Sequence, residues 1–157
     1  MIRRFKNKKE IEFDLVLEFI KANLDEDFYL TSDNQRVYIN TKKALKQLLR
    51  ETAVAYVAED QSDTDYKGFA VLWKSKGGNV TRYYVKIVAK EEQTVKDFLT
   101  IFSWNHEVEL YVKVHKNSKF LDTYKRQGFK FKGGRGKQVL LQRDKPYIKK
   151  RVYRGDE

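Results

Sequence analysis

Apolar residues recur along this chain in two rhythms, one helical and one alternating. Phe13, Val16, Leu17, Ile20 and Leu24 repeat at helical spacing. Ile11, Phe13, Leu15, Leu17 and Phe19 also alternate, as a strand would, and the length of the segment favours the helix. Asn7 and Glu10 have the spacing of a capping box at its start, with Asn in place of Ser or Thr. Residues 2–6 ahead of it read as a short first strand. Residues 25–40 are polar and irregular, with a short strand at 36–39. Residues 41–51 give a second helix, with Ala44, Leu45, Leu48 and Leu49 on one side.

Strands dominate the middle of the chain. Residues 53–58 are a short apolar run, and residues 59–65 are a polar turn. Residues 68–75 carry Phe69, Val71, Leu72 and Trp73, and Gly77-Gly78-Asn79 then signals a hairpin. In the returning strand, residues 80–89, Tyr83, Val85, Ile87 and Ala89 fall on one face; Arg82, Tyr84 and Lys86 fall on the other. Val95, Phe98, Leu99 and Phe102 place a helix over 92–104. Val108, Leu110, Val112 and Val114 alternate with Glu109, Tyr111 and Lys113, which makes a strand with one buried face. Asn117 is positioned to cap a helix running to Arg126, and Gly128 to end it. Residues 129–132 and 138–142 are the last two strands, joined by Gly133-Gly134-Arg135-Gly136. Strand, helix, helix, three strands, helix, strand, helix and two strands make a mixed sheet covered by helices, in the α/β or α+β class.

That order of elements resembles the GNAT superfamily of N-acetyltransferases over nearly the whole chain. Local sequence carries the resemblance at Asn117, Tyr124, Gly128 and Phe129, an Asn before a helix, a Tyr seven residues on, and Gly-Phe four and five residues after that. The resemblance implies a central sheet of about six to seven strands flanked by about four helices, and acetyl-CoA as cofactor if the protein is active. It implies that Asn117 starts a helix beside the coenzyme and that Tyr124 faces the thioester sulfur as general acid. A capped helix, a core tyrosine and a glycine stop would leave the same residues.

The chain departs from the family where the coenzyme's pyrophosphate would sit. The family carries an Arg- or Gln-led glycine loop whose amides cradle that group. Here the segment Val88-Ala-Lys-Glu-Glu-Gln-Thr-Val-Lys-Asp97 has no glycine, looks shorter, and sets Glu91 and Glu92 where a dianion would arrive. Val88, Lys90, Gln93 and Asn117 are the positions that the resemblance assigns to the cofactor. Glu107 and Glu109 are candidate bases, with Glu109 the one assigned, though exposed acids at a strand end are ordinary. The expectation is a GNAT-fold protein degenerate in acetyl-CoA binding and serving as a binding or structural module; the alternative is an active N-acetyltransferase on an unidentified amine.

Charge adds a third possibility. The net charge of +11 is polarised, because residues 10–66 hold six basic and thirteen acidic residues while residues 113–142 hold nine basic and one acidic. Lys130, Lys132, Arg135 and Lys137 extend into Lys149, Lys150 and Arg151 in a basic tail, 145–157, beyond a single domain, 1–144. Interleaved with Phe120, Tyr124, Phe129 and Phe131, these residues suit an anionic partner, either nucleic acid or an acidic protein surface. A solubilising lysine coat has the same composition.

Cysteine is absent, which excludes disulfides, thiol nucleophiles and cysteine-ligated zinc. The two histidines, His106 and His115, match no metal-ligand spacing, so no metal is expected. No apolar run approaches the ~20 residues of a membrane span. A soluble cytoplasmic protein is expected, or a virion-associated one, since small chains resembling this family occur in viruses as well as in cells.

Overall fold

The computed structural model describes residues 1–6, 10–23, 26–32, 35–60, 65–77 and 80–144. In chain order the elements are β1 (Ile2–Arg4), α1 (Glu10–Ala22), β2 (Tyr29–Ser32), β3 (Gln35–Tyr38), α2 (Lys42–Arg50), β4 (Thr52–Glu59), β5 (Tyr66–Gly77), β6 (Val80–Ala89), α3 (Glu92–Asn105), β7 (Leu110–His115), α4 (Leu121–Arg126), β8 (Lys130–Arg135) and β9 (Gln138–Arg143). Seven strands form one sheet in the order β1-β4-β5-β6-β7-β9-β8, and β2 and β3 form a separate hairpin. Every neighbouring pair in the large sheet is antiparallel except β6 and β7. This is the mixed sheet of seven strands with four helices that the element order predicts.

Alternation along the strands divides the core into two layers. On one face Ala70, Leu72, Val85, Ile87, Leu110 and Val112 meet Val95, Phe98, Leu99 and Phe102 of α3. On the other, Val57, Phe69, Val71 and Val88 meet Val16 and Ile20 of α1, Leu45 and Leu48 of α2, and Phe28. Strands covered on both sides read as near-continuous apolar runs, which is why β4 and β5 stand out in the sequence. Thr41 starts α2 with its side chain accepting the Ala44 amide at 3.1 Å.

Three expectations change. The irregular stretch before α2 contains a hairpin, with Tyr29 paired to Tyr38 and Ser32 to Gln35, where a single strand at 36–39 was expected; its four-residue arms are too short to show a period. Asn117 does not cap a helix. It lies in a turn where its amide donates to His115 Nδ1 at 3.0 Å, and α4 begins only at Leu121 after Phe120. Strand β8 also runs further than expected, through Gly133 and Gly134 to Arg135, with a bulge between Phe131 and Gly133. Gly128 does end α4 in the left-handed region, at φ 96°. The capping residue Asn7, Leu24, the hairpin tip at Gly78 and Asn79, and the tail from residue 145 lie outside the described residues.

Helix α3 reaches the sheet over Gly68. A Cβ there would lie 2.8 Å from Phe98 Cε2 and 2.8 Å from Thr94 Cγ2, inside contact distance, and both neighbours are buried. Gly68→Ala is therefore expected to lower stability by about 1–3 kcal/mol through overpacking, read as a lower denaturant midpoint at unchanged slope. An unchanged midpoint would show that α3 can shift freely.

Candidate functional site

The parallel junction is short. Only Tyr83 pairs with Leu110 and Tyr84 with Tyr111, although β6 continues to Ala89 and β7 to His115. Beyond those pairs the strands part, and the gap is lined on the α3–α4 side by Val85, Ile87, Val112, Val114, Phe120 and Tyr124. Its free volume is about 20 Å³, close to what one water needs. Tyr124, 4% exposed, borders this gap and packs edge-on against Phe129, with ring centroids 5.5 Å apart. Glu109 does not line the gap. It is exposed and accepts the Tyr111 hydroxyl at 2.6 Å, a bond that raises the Tyr111 pKa.

At the far end of β6 the connection to α3 is two residues, Lys90 and Glu91. Glu91 occupies the N-cap position without a side-chain capping bond. Glu92 comes next, in the first turn, where acids suit the helix dipole. Its Oε2 accepts the Thr123 hydroxyl at 2.7 Å and also the Arg126 guanidinium, both from α4. The Thr123 hydrogen bond first, then Arg126, lowers the Glu92 pKa below its ordinary value.

The cofactor positions do not gather round that carboxylate. Val88 is buried in the layer under α1. Lys90 holds its ammonium over the Phe19 ring and lines a separate cavity with Glu18 and Asp65. Gln93 donates to Asp97 one turn along α3 at 2.9 Å, and Asn117 stays in its turn. Of the residues assigned from sequence, Tyr124 alone borders the strand gap.

A second cavity, of about 320 Å³, opens on the opposite face of the sheet, between β2 and strands β5–β7. Asp27, Val85, Lys86 and Lys113 border both cavities. The floor is aromatic. Trp73, Tyr84 and Tyr111 sit side by side on three adjacent strands, with centroids 5.7 Å apart at each step. Cations lie over the rings, Lys86 over Trp73 and Tyr29, Lys113 over Tyr84, and Arg82 over Tyr111. The Lys86 ammonium donates to the Tyr29 carbonyl at 2.9 Å. Burial, and then repulsion from Lys113, lowers its pKa from 10.5 to about 8.

The sequence showed Arg82, Tyr84 and Lys86 sharing a face of β6, but not that Tyr111 and Lys113 come to lie beside them. Thr123 and Arg126 were missed because their partner lies 31 and 34 residues away. The basic stretch resolves into an exposed edge carrying Lys130, Lys132, Arg135 and Lys137, with Phe131 66% exposed beside them. Phe120, Tyr124 and Phe129 are buried core residues, so they do not interleave with those charges at the surface. Lys149, Lys150 and Arg151 lie outside the described residues. Among the described residues no cluster of His, Asp or Glu could hold a metal ion, and no helix is long and apolar enough to cross a membrane.

These contacts predict two titrations. Lys86 should titrate near pH 8 by NMR of its side chain, and Lys113→Ala should raise that midpoint by removing a repelling charge. Because the folded pKa is the lower one, the Lys86 contribution to stability is complete only above the ordinary lysine value and is lost as the pH falls through about 8. Glu92 should titrate below an ordinary glutamate, and Thr123→Val should raise its midpoint. An ordinary value in the unaltered chain would mean that the α3–α4 contact is not formed in solution.

No family model matches this chain, and no curated protein matches it. Solved structures do match its fold. A chain of the NatC complex bound to Gag peptide and CoA is 16% identical, with 92% of this chain and 97% of that one covered and a TM-score of 0.68. The aminoglycoside 6'-N-acetyltransferase from Enterococcus faecium is 10% identical over 92% and 96% of the two chains, with a TM-score of 0.66. An acetyltransferase of the GNAT family from Streptococcus pneumoniae is 13% identical over 93% and 99%, with a TM-score of 0.64. The strand order, the parallel split and the paired helices on each face are thus those of the GNAT acetyltransferase fold.

Proposed function

We propose that this protein is a GNAT-fold binding module that does not hold acetyl-CoA in the manner of the family. The observation that carries the reading is Glu92. A helix N-terminus binds a pyrophosphate through free amides and a closely approaching backbone, which glycine permits. Here the connection into α3 has two residues and no glycine, and a carboxylate already takes a hydroxyl and a guanidinium from α4. A dianion arriving there would meet like charge and would compete for donors already engaged. The free volume between the parted strands adds to the argument, since about 20 Å³ is far below what a coenzyme arm fills. The residues present do not fit the coenzyme.

An active N-acetyltransferase is the second reading, favoured by the place of Tyr124 at the strand gap. Calorimetric titration with acetyl-CoA separates the two. The module reading expects no one-to-one binding in the micromolar range. It also expects Glu92→Ala to gain affinity for inorganic pyrophosphate by releasing Thr123 and Arg126. One-to-one micromolar binding by the unaltered chain would overturn it. The decisive variant would then be Tyr124→Phe, whose turnover on amines should fall by at least tenfold with the fold intact if the phenol is the general acid.

A further inference from the structure

We propose that the open sheet face between β2 and β7 binds single-stranded nucleic acid, with bases on the aromatic floor of Trp73 and Tyr84 and phosphates on Arg82, Lys86 and Lys113. This deepens the module reading by naming its partner. Three observations carry it.

The first is the floor. Trp73, Tyr84 and Tyr111 form a continuous aromatic row across β5, β6 and β7. Trp73 and Tyr84 are only partly buried, and they line a cavity of about 320 Å³, at the small end of the range for ligand sites. Every base has a π-face, so such a row accepts bases without regard to sequence once the Lys86 and Lys113 ammoniums swing from over the rings to the phosphates.

The second is charge. Each acid around the cleft lies against a partner other than the three cations, and Asp27, Glu51 and Glu109 keep only a through-space attraction for them. Glu51 takes the indole N–H of Trp73 at 2.9 Å, Glu109 takes the Tyr111 hydroxyl, Asp27 takes the His115 amide at 2.8 Å, and Glu26 lies 3.8 Å from His115. Among the described residues, Lys86, Lys113 and Arg82 form no ion pair with a carboxylate. Burial and the neighbouring Lys113 work against the Lys86 charge, Asp27 and Glu51 offset them only in part, and a phosphate beside both lysines would be favourable.

The third is continuity. Tyr111 is in register with Gln142, and Gln142 with Lys130; His115 is in register with Gln138, and Gln138 with Arg135. Registered residues share a face of the sheet. The cations of the cleft therefore continue across β9 to Lys130 and Arg135 at the edge, which gives a backbone a positive path away from the aromatic floor.

The test uses the full chain and a fluorescein-labelled oligothymidylate of about twelve nucleotides, in the size range of single-strand sites. Anisotropy should show saturable binding that weakens from about 50 to about 200 mM salt, with a log–log slope of roughly −2 for three phosphates. In a Trp104→Phe background, the fluorescence of Trp73 should be quenched on binding. Tyr84→Ala should weaken binding roughly tenfold, and Lys113→Ala should flatten the salt slope by about 0.7, with circular dichroism melts confirming that both variants fold. Arg82→Ala, at an exposed residue, repeats the test where Tyr84→Ala fails to fold. Three results would overturn the proposal. One is no binding at low salt. Another is binding that leaves Trp73 unquenched and is abolished by Lys130→Glu with Lys132→Glu, which assigns it to the edge strand. The third is tighter binding of an oligoglutamate, which makes the partner an acidic polypeptide. None of these bears on the acetyl-CoA titration, so failure of this proposal and failure of the module reading remain distinguishable.

Discussion

Four strands and three strands are joined across the middle of this sheet by a ladder of two residue pairs. Such a junction does not hold on backbone hydrogen bonds alone, so packing on the α3–α4 face must close it. Phe98, Leu99 and Phe102 of α3 share one apolar layer with strands from both halves. At the margin, Arg143 at the end of β9 donates to the Gln127 carbonyl at 3.0 Å and to Ser103 Oγ at 2.5 Å, with its guanidinium over Phe129. One side chain thus links α3, the end of α4 and the last strands. Burial lowers the Arg143 pKa, as expected for a charge held among carbonyls and a ring. The smaller cavity lies where the strands part beyond the two pairs.

The sequence carried the long elements well because α3 shows a helical period over several turns and the long strands read either as alternation or as near-continuous apolar runs. Helix α3 and strands β6 and β7 were each legible from four or so apolar positions. Short elements were not. The arms of the β2–β3 hairpin have four residues each, and α4 has six. At that length a cap such as Asn117 is indistinguishable from a turn residue. The site divides in the same way. Tyr124 was reachable from a local motif, whereas the Glu92 contact joins residues more than thirty positions apart. The aromatic floor needs three strands whose register no local pattern announces. Residues Arg82, Tyr84 and Lys86 were visible as a face of β6, but the chemistry of that face depends on what the parallel partner sets beside it.

Glu92 sets a carboxylate in the first turn of α3, against the hydroxyl of Thr123 and the guanidinium of Arg126. A helix N-terminus and a nearby basic helix form a setting that favours negative charge. Here the chain supplies that charge from its own first turn, and the two helices are tied together by it. The contact is partly solvent-exposed, so its value is geometric more than energetic. It fixes α4 relative to α3, and with it the wall of the gap that Tyr124 borders.

The charged residues of β8 also have a role that needs no ligand. In the order of the sheet β8 is a terminal strand, with a bulge, an exposed Phe131 and lysines on either side. A free strand edge with an apolar side chain is a template on which a second copy can add its own edge. Lys130, Lys132 and Arg135 make that approach repulsive, because two such edges would bring like charges together along their whole length. The protection is electrostatic and reaches about 10 Å at 0.1 M salt, less as salt rises. Raising the ionic strength therefore weakens the protection of this edge, and concentrated salt leaves the bulge as its structural barrier to edge-to-edge association.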